Sequence, residues 1–257
     1  MLNTTGEIFS FLEAWAPVHT AMGFDNPGLL VGDGTEPVSR VLVSLDITPP
    51  VVEEARTKGA QLIVSHHPVI FHPLRRLSPQ DPAYLLARYG ISAVCMHTNL
   101  DMAEGGVNTC LTQALGLQNV EGLERDSESG LFISLIGSLE RPMSPREFAA
   151  HVKASLGCGG VRFAEGAGEI RRAALCGGAG GDFLAGAVRA HADAFVTGEV
   201  KHHEFLAAQA AGITIVEAGH FSTENPVTAE IQRRLAEAFP AVSVLCSEAM
   251  RDPAQYL

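Results

Sequence analysis

Three short apolar runs in this chain stop abruptly at histidine or Gly-His, and that pattern narrows the fold more than any other feature. Gln61-Leu-Ile-Val-Ser65 runs straight into His66-His67-Pro68, Ile91 to Met96 ends at His97, and Ile213 to Glu217 is followed closely by Gly219-His220. Runs of this length suit strands, and they are too uniformly apolar for a sheet with one wet face. Between them lie stretches with helical signals, Pro50 to Gly59, Pro82 to Tyr89 and Lys201 to about Ala211. Strands alternating with helices predict an α/β fold whose sheet is covered on both faces. Further strands are predicted over Arg40 to Asp46, Leu131 to Ile136, Arg171 to Leu175 and Ala194 to Thr197. Further helices are predicted over Thr5 to Trp15, Ser144 to Leu156 and Phe183 to His191. The Ser144-x-x-Glu147 spacing is a capping box.

The two halves follow one plan. Ser65-His66-His67 lies over Thr197-Gly198-Glu199, and Gly90-Ile91 to His97 lies over Gly212-Ile213 to His220 with one extra residue. Both segments continue as His-x-x-x-acid, His97 to Asp101 and His220 to Glu224. This reads as a weak internal duplication, although two unrelated βαβ units reach a similar match by chance. No linker rich in Pro, Gly or charge separates the halves, so subdomains would be intertwined rather than strung along the chain.

Composition excludes several classes. With 257 residues and 46% hydrophobic residues, the chain can bury roughly 70% of its unfolded surface, enough for a full core. Disorder and disulfide scaffolds are excluded by that apolar fraction and by only five cysteines. The net charge of −11 argues against generic nucleic-acid binding, which needs excess Lys and Arg. No Lys or Arg precedes Arg40, and no run of apolar residues is long enough to span a bilayer. The cysteines form no CxxC pair, and a reducing cytoplasm is the expected compartment.

Ten histidines need explaining. Ligands in open α/β sheets gather at the carboxyl ends of strands. Three such ends would carry His66, His67, His97, Asp101, His220 and Glu224 to one edge. Each also has a plainer reading: surface or N-cap histidines, and acids that support a helix N-terminus. Their coincidence favours metal. The set is too large for one structural zinc, which takes four ligands. It suits two divalent cations, whose repulsion at about 3.5 Å is on the order of 20 kcal/mol at an effective dielectric of 20. A bridging carboxylate relieves that repulsion. Imidazole and carboxylate donors suit Zn, Fe or Mn. Glu199 and His203 are candidates for proton transfer or substrate contact, or are simply a satisfied loop pair. The Gly177-Gly178-Ala179-Gly180-Gly181 loop is either an anion cradle or, more simply, a tight turn for close packing.

With these residues in view, the sequence resembles the NIF-three-like family, the YbgI-type dinuclear metal centre proteins catalogued as GTP cyclohydrolase 1 type 2 homologues. The segments that carry the resemblance are Phe24-Asp-Asn-Pro-Gly-Leu-Leu-Val-Gly32, Ser65-His-His-Pro-Val-Ile-Phe71, His97-Thr-Asn-Leu-Asp101, Thr197-Gly-Glu-Val-Lys-His-His203 and Gly219-His-Phe-Ser-Thr-Glu224. The resemblance implies two intertwined α/β subdomains with mixed sheets, approximately 1–125 plus 220–257 and 126–219. It implies a toroidal homohexamer. It also implies His66, His67, Asp101, His220 and Glu224 as metal ligands, with Glu224 bridging and His97 ligating or supporting. Pro27 and Glu199 depart from the family pattern, Glu199 standing where many members have Asp.

The expected function is a metal-dependent hydrolase on a nucleotide-like substrate, using two divalent metal ions (Zn, Fe or Mn), with Glu199 and His203 as the catalytic candidates. The alternative is a non-catalytic metal- or ligand-binding regulatory protein that acts through protein partners. Expected partners are further copies of the chain and a small, nucleotide-like ligand. No membrane is expected, and nucleic acid is disfavoured.

Overall fold

The computed structural model describes residues 3–257. The chain divides into two compact units, 1–103 with 227–251 and 104–226 with 252–257. The first holds β1 (Asn3–Thr4), α1 (Thr5–Trp15), β2 (Gly28–Val31), β3 (Pro37–Val38), β4 (Arg40–Ser44), α2 (Pro49–Lys58), β5 (Leu62–Ser65), α3 (Pro82–Tyr89), β6 (Ser92–Cys95) and α4 (Thr98–Met102). The second holds α5 (Val107–Ala114), β7 (Gln118–Arg125), β8 (Phe132–Met143), α6 (Pro145–Leu156), β9 (Arg162–Ala164), β10 (Ile170–Cys176), α7 (Leu184–Arg189), β11 (Ala194–Thr197), α8 (His202–Ala211), β12 (Thr214–Glu217) and α9 (His220–Glu224). The chain then returns to the first unit with α10 (Pro226–Ala238) and β13 (Ser243–Cys246).

In the first unit β4, β5 and β6 run parallel, with β13 parallel on one side and β2 antiparallel on the other. Every residue of β5 and β6 is buried. Alternation sends Leu42, Ile63 and Ala93 to the face that meets Val51, Val52 and Ala55 of α2 and Leu86 of α3. The other face carries Val41, Val43, Leu62 and Val64, all fully buried. Burial of each such side chain contributes about 1.5–3 kcal/mol. Both helices start on proline and stop at a left-handed glycine, Gly59 (φ 68°) and Gly90 (φ 65°), so each strand begins at a defined point.

The second unit repeats this core. β10, β11 and β12 are parallel, β9 is antiparallel beside β12, and β7 and β8 extend the other edge. Ala173, Leu175, Val196 and Val216 pack on Phe148 and Val152 of α6, and Ala174, Phe195 and Ile215 pack on Leu184 and Ala187 of α7 and on Ala208 of α8. This is the mixed α/β fold predicted, with helices on both faces. The capping box at α6 is present, Ser144 receiving the Glu147 N–H and returning its own to Glu147.

The units part at Ala103/Glu104 and Pro226/Val227, rather than near 125 and 220. The residues between belong to the second unit because β7 pairs along β8 and α5 contributes Leu111 to the α6 core. β7 (Gln-Asn-Val-Glu-Gly-Leu-Glu-Arg) escapes sequence reading because it is a largely exposed edge strand without apolar alternation. No helix among the described residues is long and apolar enough to cross a membrane.

Candidate metal centre

In the first unit the register Ser44–Ser65–Cys95 puts the ends of β4, β5 and β6 in one row. The residues just beyond are Leu45-Asp46, His66-His67 and Met96-His97. His66 and His67 would diverge on a continuing strand. The chain turns instead, and their ring centroids lie 4.8 Å apart. His97 joins them, at 5.2 Å from His66 and 5.5 Å from His67. One ring nitrogen from each of the three lies within 4.8 Å of the others, a spacing that can hold a metal ion.

Each ring is held by its Nδ1. His66 Nδ1 faces the Met96 carbonyl at 2.9 Å, His67 Nδ1 faces Asp46 Oδ1 at 2.8 Å, and His97 Nδ1 faces Asp25 Oδ1 at 2.7 Å. A carbonyl or ionised carboxylate can only accept, so these Nδ1 atoms carry the hydrogen. In a neutral ring that leaves Nε2 as the lone-pair atom, the arrangement typical of metal-ligating histidine. Asp101, in α4, points its Oδ1 at His66 Nε2 at 3.6 Å. Two acceptor atoms facing each other invite a cation between them.

Asp25 orients the His97 ring and belongs to none of the strand ends that carry the histidines. Its side chain is fully buried, and it also receives the Thr98 N–H (3.0 Å) and hydroxyl (2.5 Å). Burial alone would push its carboxyl up, but the hydrogen bonds from His97 and Thr98 and the nearby imidazole hold it down at about 2. Cys95 lies directly behind. Burial and then the Asp25 charge push its thiol well up, and it donates to the His66 carbonyl at 2.9 Å. The thiol therefore serves the backbone and is no thiolate ligand.

In the second unit the register Cys176–Thr197–Glu217 aligns the same three strand ends. Gly198-Glu199 and Ala218-Gly219-His220 follow. His220 opens α9 and Glu224 lies one turn on, so the four-residue spacing faces them together: His220 Nε2 is 3.0 Å from Glu224 Oε2. Glu199 Oε1 takes His220 Nδ1 at 2.6 Å. Here too a ring tied at Nδ1 turns Nε2 toward a carboxylate. Glu224 is buried, whereas Glu199 is exposed. His203 sits in the exposed first turn of α8.

The glycine loop after β10 is a tight turn. Gly177 N–H goes to Asn108 Oδ1, Gly178 N–H to Thr223 Oγ1 and Gly180 N–H to Thr197 Oγ1, so these amides serve the fold rather than an anion. Gly178 has φ 60°, and a Cβ there would lie 2.2 Å from Glu224 Oε1. Glycine is required for the carboxylate to occupy its place.

The structure thus brings together His66, His67, His97 and Asp101 in one unit, and His220, Glu224 and Glu199 in the other. Asp25 and Asp46 are the additions. In each unit the Nδ1 contacts and the oxygen and nitrogen donors fit a borderline divalent cation such as Zn, Fe or Mn.

Known proteins resemble the chain over nearly its whole length. The family model described as Duf34/NIF3 (NGG1p interacting factor 3) matches residues 3–253. A Clostridium perfringens protein named GTP cyclohydrolase 1 type 2 homolog is 33% identical, with 98% of each chain covered. A Lactococcus lactis protein of the same name is 35% identical over 81% of this chain and 82% of its own. Among solved structures, a Bacillus cereus protein related to NIF3 superposes with a TM-score of 0.94 at 25% identity, covering 100% of both chains.

Proposed function

Because the chain belongs to the Duf34/NIF3 family, we propose that it is a metal-dependent hydrolase for a nucleotide-like substrate, with two divalent ions held by His66, His67, His97, Asp101, His220 and Glu224. The observation that carries this reading is the common posture of the four imidazoles. Each is tied at Nδ1 by an oxygen acceptor and offers Nε2. The relatives' name, GTP cyclohydrolase 1 type 2 homolog, supports the nucleotide class.

Divalent ions in such a site supply Lewis acidity and acidify water. The chain's own residues do the rest. Asp25, Asp46 and the Met96 carbonyl keep three rings in one tautomer. Glu199 shares the His220 Nδ1 proton and, being exposed, can pass a proton to solvent or substrate. His203, exposed in α8, is the second proton-transfer group of the reading. None of the five cysteines is joined in a disulfide among the described residues, which suits a reducing cytoplasm.

Plasma mass spectrometry of the purified chain tests the centre. About two metal ions per chain are expected in wild type, with a large loss in His66→Ala and in Glu224→Gln. Unchanged metal in both variants would overturn the assignment. A screen of nucleotides and cyclic phosphates with added Mn²⁺, Zn²⁺ or Fe²⁺ then tests the reaction. Turnover no higher than in a metal-free control would favour the regulatory reading instead. We further propose a homohexameric ring, for which light scattering should report about six chains; a monomer would refute it.

A further inference from the structure

We infer that Phe24 and Phe71 form a stacking platform for the flat heteroaromatic base of the substrate, beside the first unit's imidazole cluster. The inference rests on the nucleotide-like reading above and names how the base is held. Both rings are exposed, Phe24 by 63% and Phe71 by 37%, in a chain whose core aliphatics are almost fully covered. They pair with each other at 6.3 Å between centroids, tilted by 53°. Phe71 also lies edge-on to His97 at 6.2 Å. Aromatic rings at such separations prefer tilted or edge contacts, which leave part of each face open.

The platform is built rather than incidental. Phe24, Asp25 and Asn26 are consecutive. Asp25 holds His97 Nδ1 and Thr98, while Asn26 Nδ2 donates to the Ile70 carbonyl at 2.6 Å, the residue before Phe71. One tripeptide therefore carries one ring, ties down the neighbour of the other, and orients a metal-directed imidazole. A ring stacked on these phenylalanines would be positioned with respect to the same histidines that offer metal donors. Exposed phenylalanine offers a π-face and no hydrogen-bonding edge, so recognition would tolerate different bases. Arg75 and Arg76 follow in the same exposed loop and add positive charge suited to a phosphate on the ligand.

The test is calorimetric binding of guanosine 5′-monophosphate, adenosine 5′-monophosphate and ribose 5-phosphate to the full chain, wild type against Phe24→Leu, Phe71→Leu and the double variant. Both nucleotides should bind wild type, and each single change should weaken them about tenfold, equivalent to about 1.4 kcal/mol. Ribose 5-phosphate should bind equally to all four proteins. Phe24→Trp should restore or strengthen nucleotide binding. The inference is overturned if neither nucleotide binds wild type, if the leucine variants bind them unchanged, or if ribose phosphate weakens in parallel. It is also overturned if the leucine variants change only the number of chains per particle, which would make the pair a contact between copies. Metal content measured on the same samples keeps this result separate from the metal reading, since both rings are exposed and their loss leaves the donors in place.

Discussion

The two units carry one strand plan and place their histidines and carboxylates differently at its end. Beyond the register row Ser44–Ser65–Cys95 stand Asp46, His66-His67 and His97. Beyond Cys176–Thr197–Glu217 the matching positions are Gly178, Gly198-Glu199 and Gly219, with His220 one residue further. His66 and His97 are thus matched by Gly198 and Gly219, and His67 by Glu199. The reason is visible at Gly198, where a Cβ would come within 2.6 Å of the Gly178 carbonyl and 2.8 Å of His220 Cα. The second unit brings its backbone too close for side chains there and recovers its donors one residue later, from α9. The identical His-x-x-x-acid spacing also behaves differently. His220 is inside its helix and faces Glu224, whereas His97 precedes α4 with φ −111° and ψ −113° and turns its ring to Asp25. Four-residue spacing brings side chains together only when both residues are helical.

The largest effect that would break this comparison is expected from Gly178→Ala. Its Cβ cannot coexist with Glu224 in its present place, and φ 60° adds strain. Metal affinity should fall on the order of 100-fold or more, with the fold of the first unit unchanged by hydrogen exchange. Wild-type metal affinity in this variant would mean that Glu224 is no donor.

A second pair sharpens the contrast between buried and exposed orienting groups. Asp25→Asn should weaken metal binding by about 10–100-fold, and Glu199→Gln by about tenfold at most, measured by competition with a chromogenic chelator. Asp25 is fully buried and bonded to both His97 and Thr98, while Glu199 is exposed and screened by water. Equal losses would show that burial of the orienting carboxylate does not matter here.

The effect furthest from the metal centre concerns stability in one unit only. Glu54 of α2 clasps the segment after β13, accepting from the Ser247 hydroxyl and from the Glu248 and Ala249 N–H groups, and pairing with Lys58 at 2.8 Å. Burial would raise its carboxyl, but these partners bring it from 4.5 down to about 2. A group lowered in the folded state stabilises above its unfolded value, and that contribution fades as pH falls from about 4.5 toward 2. Glu54→Gln should cost about 1–3 kcal/mol at pH 7 by urea unfolding, with a smaller penalty near pH 3. A penalty independent of pH would remove the carboxylate from the explanation.

Much of the fold was legible because its signals are local. Thr5–Trp15, Pro82–Tyr89 and Ala194–Thr197 form the elements their periodicity predicts. The glycines after α2, α3 and α8 stop those helices where left-handed backbone is needed. The edge strands β2, β7, β9 and β13 were not legible, because their place depends on a neighbour rather than on their own pattern.

The site divides in the same way. The chain alone supplies the candidate donors, since imidazoles and carboxylates at the ends of apolar strands are a matter of residue type and spacing. Their ordering was decided only in three dimensions. Asp25 reaches His97 across 72 positions of sequence and Asp46 reaches His67 across 21. Which nitrogen a histidine offers depends on what its other nitrogen touches, and no local pattern records a partner brought in by the packing of distant loops.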